Sequence, residues 1–142
     1  MRFFLILFIL LCNYSMAQSV VKWSGVYSKK TDEVILTATI EKNWHLYSQY
    51  ISPNAGPVAT KITFLKNKKV KIKGKLLEEN VHAFYDENFM AHLSVFDDKA
   101  IFRQKIKVKK STDLKLVITY MVCDDSRCLP PTDETLTIKI EK

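Results

Sequence analysis

Alternation constrains this chain more than any other feature. Val34, Leu36, Ala38 and Ile40 share one side of an extended segment, with Thr37, Thr39 and Glu41 on the other. Leu114, Leu116, Ile118, Tyr120 and Val122 repeat the pattern, as do Leu136, Ile138 and Ile140 against Thr137, Lys139 and Glu141. A period of two lays such residues on one face of a strand. No segment of helical length keeps a 3.6-residue apolar period with caps at both ends. Further strands are expected over 20–28, 44–50, 58–66, 69–73, 89–96 and 100–109. Turn-forming clusters separate them, at Lys30-Thr31-Asp32, 52–57, Asp97-Asp98-Lys99 and Ser111-Thr112-Asp113. Eight or nine short strands imply an all-β fold, and an immunoglobulin-like antiparallel β-sandwich of a single domain is the expected form.

The amino terminus sets the expected compartment. Met1-Arg2 is a positive start, and Phe3 to Leu11 is an unbroken apolar run of nine residues. That run is too short for a membrane-spanning helix. Ser15-Met16-Ala17 places small residues where a signal peptidase reads them. Residues 1–17 therefore read as a cleaved secretory signal, leaving 18–142 as the mature domain. Cys12 follows Leu11, whereas a lipid-attachment site wants a small residue there, so Cys12 belongs to the discarded segment. No second apolar run follows that could cross a membrane, and the mature product is expected not to span one.

The formal charge is +7, of which Arg2 supplies one unit. Much of it lies in 66–75, where lysines alternate with Val70 and Ile72. This is the pattern of a strand with one solvated face, and lysine on such a face also discourages edge-to-edge pairing. No aromatic residues interleave with these lysines, so nucleic acid is not an expected partner.

Two cysteines remain after the signal, Cys123 and Cys128, within Val122-Cys123-Asp124-Asp125-Ser126-Arg127-Cys128-Leu129-Pro130-Pro131. An even number in an exported, oxidising setting makes a disulfide the default expectation. Three roles are open to the pair. As a staple, a six-residue loop is worth roughly 2 kcal/mol on the chain-entropy model, less than a bridge between distant strands. As a metal clip it would need histidines, but His45, His82 and His92 lack tight ligand spacing and read as surface or half-buried strand residues. As a redox centre, a small exposed ring between two strands is easier to reduce than a buried bridge. Arg127 beside Cys128 favours its thiolate, while Asp124 and Asp125 disfavour that of Cys123.

The strand over 113–122, Cys123, the acidic insert, Cys128, Leu129-Pro130-Pro131-Thr132 and a final strand resemble the amino-terminal periplasmic domain of the DsbD thiol:disulfide interchange proteins. Asn43-Trp44-His45-Leu46-Tyr47-Ser48 is similar to that family's early aromatic segment, and His82-Ala83-Phe84-Tyr85-Asp86 to its cap loop. The resemblance implies an immunoglobulin-like domain with a redox-active disulfide at one end. It implies that Cys123 and Cys128 are the active pair, with Cys128 forming mixed disulfides. Phe84 and Tyr85 would cover the pair until a partner displaces them, and Tyr47 would pack beside it. The acidic stretch Asp86-Glu87-Asn88 after them is expected to be loop.

The expected function is periplasmic thiol-disulfide exchange, without metal or other cofactor. The expected partners are thioredoxin-fold periplasmic proteins and a membrane thiol transporter. The family's full proteins continue into a membrane domain and a thioredoxin-like domain, so either a stand-alone module with separate partners or a relative that has lost the relay is expected here. The competing expectation is a non-enzymatic binding or assembly module whose disulfide only stiffens a loop.

Overall fold

The computed structural model describes residues 19–142. The expected signal segment, its cleavage site and Cys12 lie outside the described residues. Eleven strands follow in order: β1 (Val21–Ser28), β2 (Glu33–Ile40), β3 (His45–Tyr47), β4 (Lys61–Phe64), β5 (Val70–Glu79), β6 (His82–Asp86), β7 (Ala91–Asp97), β8 (Lys99–Val108), β9 (Thr112–Tyr120), β10 (Val122–Cys123) and β11 (Thr132–Ile140). They form three hydrogen-bonded groups, ordered β1-β2-β8-β5, β11-β9-β4 and β10-β3-β7-β6. Their pairings are antiparallel. Among the described residues no helix is long and apolar enough to cross a membrane.

The alternating sequences close the sandwich. Leu36, Ala38 and Phe102 of the first group and Leu114, Leu116, Ile118 and Ile138 of the second are buried in one apolar cluster. Aromatic rings knit its centre, with Trp23 5.7 Å from Phe102 and 5.6 Å from Tyr120, and Phe96 5.4 Å from Phe102. The all-β, immunoglobulin-like sandwich expected from the periodicity is the fold observed.

The structure departs from the expected strands in three places. The segment 113–122 is not one strand: β9 ends at Tyr120, Met121 steps the chain across, and β10 pairs with β3 in another group. Alternation cannot mark that step, because Tyr120 and Val122 both remain buried. The expected cap loop 82–86 is strand β6, paired along its length with β7. Finally, β5 runs on past residue 73 to Glu79, through a register shift between Lys73 and Leu77 where Gly74 takes φ 67°. Glycine adopts that left-handed conformation without the steric cost a side chain brings.

The basic segment lies on β5, an edge strand. Lys71 stands opposite Lys107, and Lys73 opposite Lys105. Like charges directly opposed weaken strand pairing slightly, and they deter addition of a further strand at this edge.

Phe102 is fully buried and touches both Trp23 and Phe96. Phe102→Ala is expected to lower unfolding stability by about 3–5 kcal/mol, read from the denaturant midpoint of the oxidised protein, whereas Lys71→Ala should change it little.

Candidate redox site

The group β10-β3-β7-β6 has two working faces, and the strand period assigns residues to each. On one face, Leu46, Phe96 and Val122 enter the main core. On the other, Tyr47, Leu93, Val95 and Cys123 form a second buried cluster, against which Phe84, Phe89, Met121 and Cys128 pack. Register places the neighbours: Cys123 lies opposite His45, Tyr47 opposite Val95, Phe84 opposite Leu93 and Asp86 opposite Ala91. His45, Tyr47, Phe84, Asp86 and Cys123 thus share one face. Asn43, at φ 69°, makes the turn that delivers Trp44 and His45 into β3; asparagine tolerates this left-handed conformation better than most residues.

Cys123 and Cys128 form a disulfide, with Cα atoms 4.0 Å apart. They are also a bridged antiparallel pair, so the segment is a tight hairpin. The Asp124 amide donates to the Arg127 carbonyl at 2.9 Å, and the Leu129 amide to the Val122 carbonyl at 2.9 Å. Inside the loop, Asp124 Oδ1 accepts from the amides of Ser126 and Arg127 and from the Ser126 hydroxyl. These bonds, led by the Ser126 amide, hold the Asp124 carboxyl below its ordinary range. Arg127 lies 3.6 Å from Asp124 Oδ2, with its guanidinium 5.7 Å from the Trp44 ring centre.

The expected exposed ring is half right. Cys128 is partly exposed, but Cys123 is fully buried. The two ends of the disulfide therefore meet different surroundings, and an approaching reagent reaches the Cys128 side.

Beside Cys123 lies a polar network that the sequence did not reveal. Asp86 is fully buried at the end of β6, not in an exposed loop. Its Oδ2 accepts from the Tyr47 hydroxyl at 2.5 Å and lies 3.2 Å from His45 Nε2. Its Oδ1 accepts from the Asn88 amide at 2.9 Å, which also sets the β6–β7 turn. Burial opposes ionisation of Asp86, but these donors outweigh it and hold its carboxyl below the usual range. Burial, then the adjacent Asp86 carboxylate, pushes the Tyr47 hydroxyl well above the ordinary phenol range. His45, expected at or near the surface, is 3% exposed. The partners in this network are about forty residues apart, so only the fold brings them together.

Phe84 is half-buried, its ring 4.9 Å from that of His45. Tyr85 points to the other face of β6, where it is 47% exposed and lies 5.1 Å from the His92 ring. Phe89 anchors the hairpin tip: its ring is 6.1 Å from Tyr47 and occupies the space a side chain at Gly56 would need. Asn88 Nδ2 donates to the Asp124 carbonyl at 2.9 Å, joining this hairpin to the cysteine loop. Two clefts reach His45 beside Phe84. One, of about 290 Å³, is lined by Asp86, Asn88 and Asp125 among others; the second, of about 280 Å³, adds Trp44 and Asp97. A larger open hollow of about 680 Å³, lined by Lys69, Ser111 and Lys139 among others, contains no cysteine or histidine. His82 pairs with Asp97 at 3.0 Å. Among the described residues no group of three or more His, Cys, Asp or Glu side chains is placed to hold a metal.

The family model described as "Thiol:disulfide interchange protein DsbD, N-terminal" matches residues 16–140. Solved structures that share the fold include the following three. The reduced DsbD n-terminal domain of Neisseria meningitidis is 18% identical over 86% of each chain, with a TM-score of 0.61. The DsbD N-terminal domain in complex with the PilB N-terminal domain, from the same organism, is 15% identical over 88% of this chain and 87% of that one, at 0.62. The N-terminal periplasmic domain of ScsB from Proteus mirabilis is 23% identical over 82% of this chain and 44% of that one, at 0.56. No curated protein sequence matches the chain.

Tyr47→Phe removes one donor from the buried Asp86 carboxylate. A hydrogen bond to a charged group is worth about 1.5–3 kcal/mol, and the variant should lose that much stability at neutral pH. A carboxyl held low in the folded state stabilises above its unfolded pKa and loses that contribution as pH falls through the folded value. With Asp86 less depressed, acid unfolding of Tyr47→Phe should begin at higher pH than in the wild type, as followed by circular dichroism.

Proposed function

This chain belongs to the family of DsbD N-terminal domains, and on that premise we propose that it is an exported protein that passes reducing equivalents through Cys123 and Cys128 to oxidised partner proteins. The observation that carries this reading is the unequal burial of the pair: Cys123 is fully buried, while Cys128 is partly exposed. Thiol–disulfide exchange needs one sulfur within reach of a partner and a second close enough to resolve the mixed disulfide.

In the reducing direction, the Cys128 thiolate attacks a partner disulfide and joins one partner sulfur. The other partner sulfur leaves as a thiolate and takes a proton. Cys123 then attacks Cys128, the internal disulfide forms, and the second partner sulfur departs. Two electrons have passed to the partner. Phe84 and Tyr47 shield the buried side, whereas Tyr85, on the opposite face of β6, is not placed to cover the pair. Access rather than thiol chemistry is then the control, as with other movable lids.

The mature domain is 18–142, released into the periplasm after cleavage at Ala17. Its partners are thioredoxin-fold periplasmic proteins, with a membrane thiol transporter restoring the reduced pair. The complex of a DsbD N-terminal domain with a PilB domain and the periplasmic setting of the ScsB domain support this reading.

A reduced Cys123→Ala variant should trap thioredoxin-fold partners in a dithiothreitol-reversible adduct through Cys128, visible on non-reducing gels. Absence of any such adduct removes the exchange reading. The reduction potential of the pair should lie clearly above about −300 mV, since a value below that marks a structural bridge.

A further inference from the structure

Opening the disulfide creates a proton problem at Cys123. The residue is fully buried, so bulk water cannot serve its sulfur directly, and a thiolate left in apolar surroundings is disfavoured. A neighbouring group must take the thiol proton and return it. His45 is placed to do so. It stands directly opposite Cys123 on β3, on the same face, and residues so paired have Cβ atoms about 4.5–5.5 Å apart.

The hydrogen bonds assign the imidazole its tautomer. The Tyr47 hydroxyl donates to Asp86 Oδ2, and His45 Nε2 faces that same carboxylate oxygen. An ionised carboxylate only accepts, so Nε2 carries the hydrogen. Nδ1 then holds the free lone pair, and it makes no hydrogen bond to protein among the described residues. Two clefts reach this ring from the surface. His45 therefore lies between a sulfur closed to water and two openings to it.

We infer that His45 is the proton acceptor for Cys123, held in its working tautomer by Asp86 and Tyr47. This rests on the exchange reading above and adds its internal step. The Cys123 thiol gives its proton to His45 Nδ1. The resulting thiolate attacks Cys128 Sγ, the internal disulfide forms, and the partner sulfur leaves as a thiolate. The imidazolium, stabilised by Asp86, releases its proton to water in the cleft, and the departing thiolate takes one from solvent. In the opposite direction His45 protonates Cys123 as the disulfide opens. Asp86 and Tyr47 are positioning residues: they act on the imidazole, not on the sulfur.

The test separates the two sulfurs. Reduced wild-type protein is mixed with dithiobis(nitrobenzoate), which releases one coloured thiolate when Cys128 attacks and a second when Cys123 resolves the adduct. His45→Gln should slow the second release by roughly 10²-fold, the usual scale of a general base, and leave the first unchanged. Added imidazole should restore much of that rate to His45→Ala. Asp86→Asn should move the pH midpoint of the second release downward, because the imidazolium loses its anionic partner. The other charged or titratable groups near the ring are Tyr47 on β3, Tyr85 on β6, Glu87 after it, Asp97 on β7, Asp98 after it and Asp125 in the cysteine loop, and all remain in that variant. A second release at the wild-type rate in His45→Gln overturns the proposal while leaving exchange itself intact. If the variants do not fold, the wild type decides. At neutral pH the His45 Nδ1 resonance should differ between the oxidised and reduced proteins, and identical resonances overturn the proposal. Failure of the Cys123→Ala trap would count against the exchange reading alone.

Discussion

The carboxylate of Asp86 has no contact with solvent, and it stays charged because three donors converge on it: the Tyr47 hydroxyl, His45 Nε2 and the Asn88 amide. Removing a carboxylate from water is costly unless such bonds replace its hydration. Those three donors come from two different places in the chain. Tyr47 and His45 belong to β3, and Asn88 to the turn after β6. Satisfying one charge therefore fixes β6 over β3 and sets the turn that follows. Asn88 then reaches across to the Asp124 carbonyl, so the same arrangement steadies the cysteine hairpin.

This helps a very short strand do two tasks. β3 has three residues, all buried. Leu46 enters the main core, whereas His45 and Tyr47 face the disulfide side. The Thr60 hydroxyl donates to the Tyr47 carbonyl at 2.6 Å, and the Ser48 amide to the Ser94 carbonyl at 2.9 Å, extending the hold at its end. A rigid strand beneath the pair lets one sulfur be buried and the other remain accessible. That asymmetry gives the disulfide of one tight hairpin an inner and an outer end.

Much of the fold could be read directly. The alternation in β2, β9 and β11 predicted which side chains are buried, because a strand period of two leaves little choice once one face must avoid water. Boundaries and sheet membership were harder. The step at Met121 that sends β10 to a different partner strand leaves no mark in the hydrophobic pattern. β6 carries Phe84 and Tyr85 on opposite faces, and family resemblance had made it a cap loop. Of the site, the cysteines stood out through their spacing, and Phe84, Tyr85 and Tyr47 through family resemblance. Asp86 and His45 did not, since an acidic Asp-Glu-Asn stretch reads as loop and a lone histidine as a surface or half-buried strand residue.

The sequence by itself determined that the chain would form an antiparallel β-sandwich and that its two late cysteines would join, because strand periodicity and short-range spacing are local properties. Only the tertiary structure decided which cysteine is hidden, which face each aromatic takes, and that a buried aspartate holds a histidine opposite the hidden sulfur. Those facts depend on register between strands far apart in the chain. Shifting one strand by a single residue would turn His45 or Asp86 to the opposite face, and the amino-acid order alone does not state where that register falls.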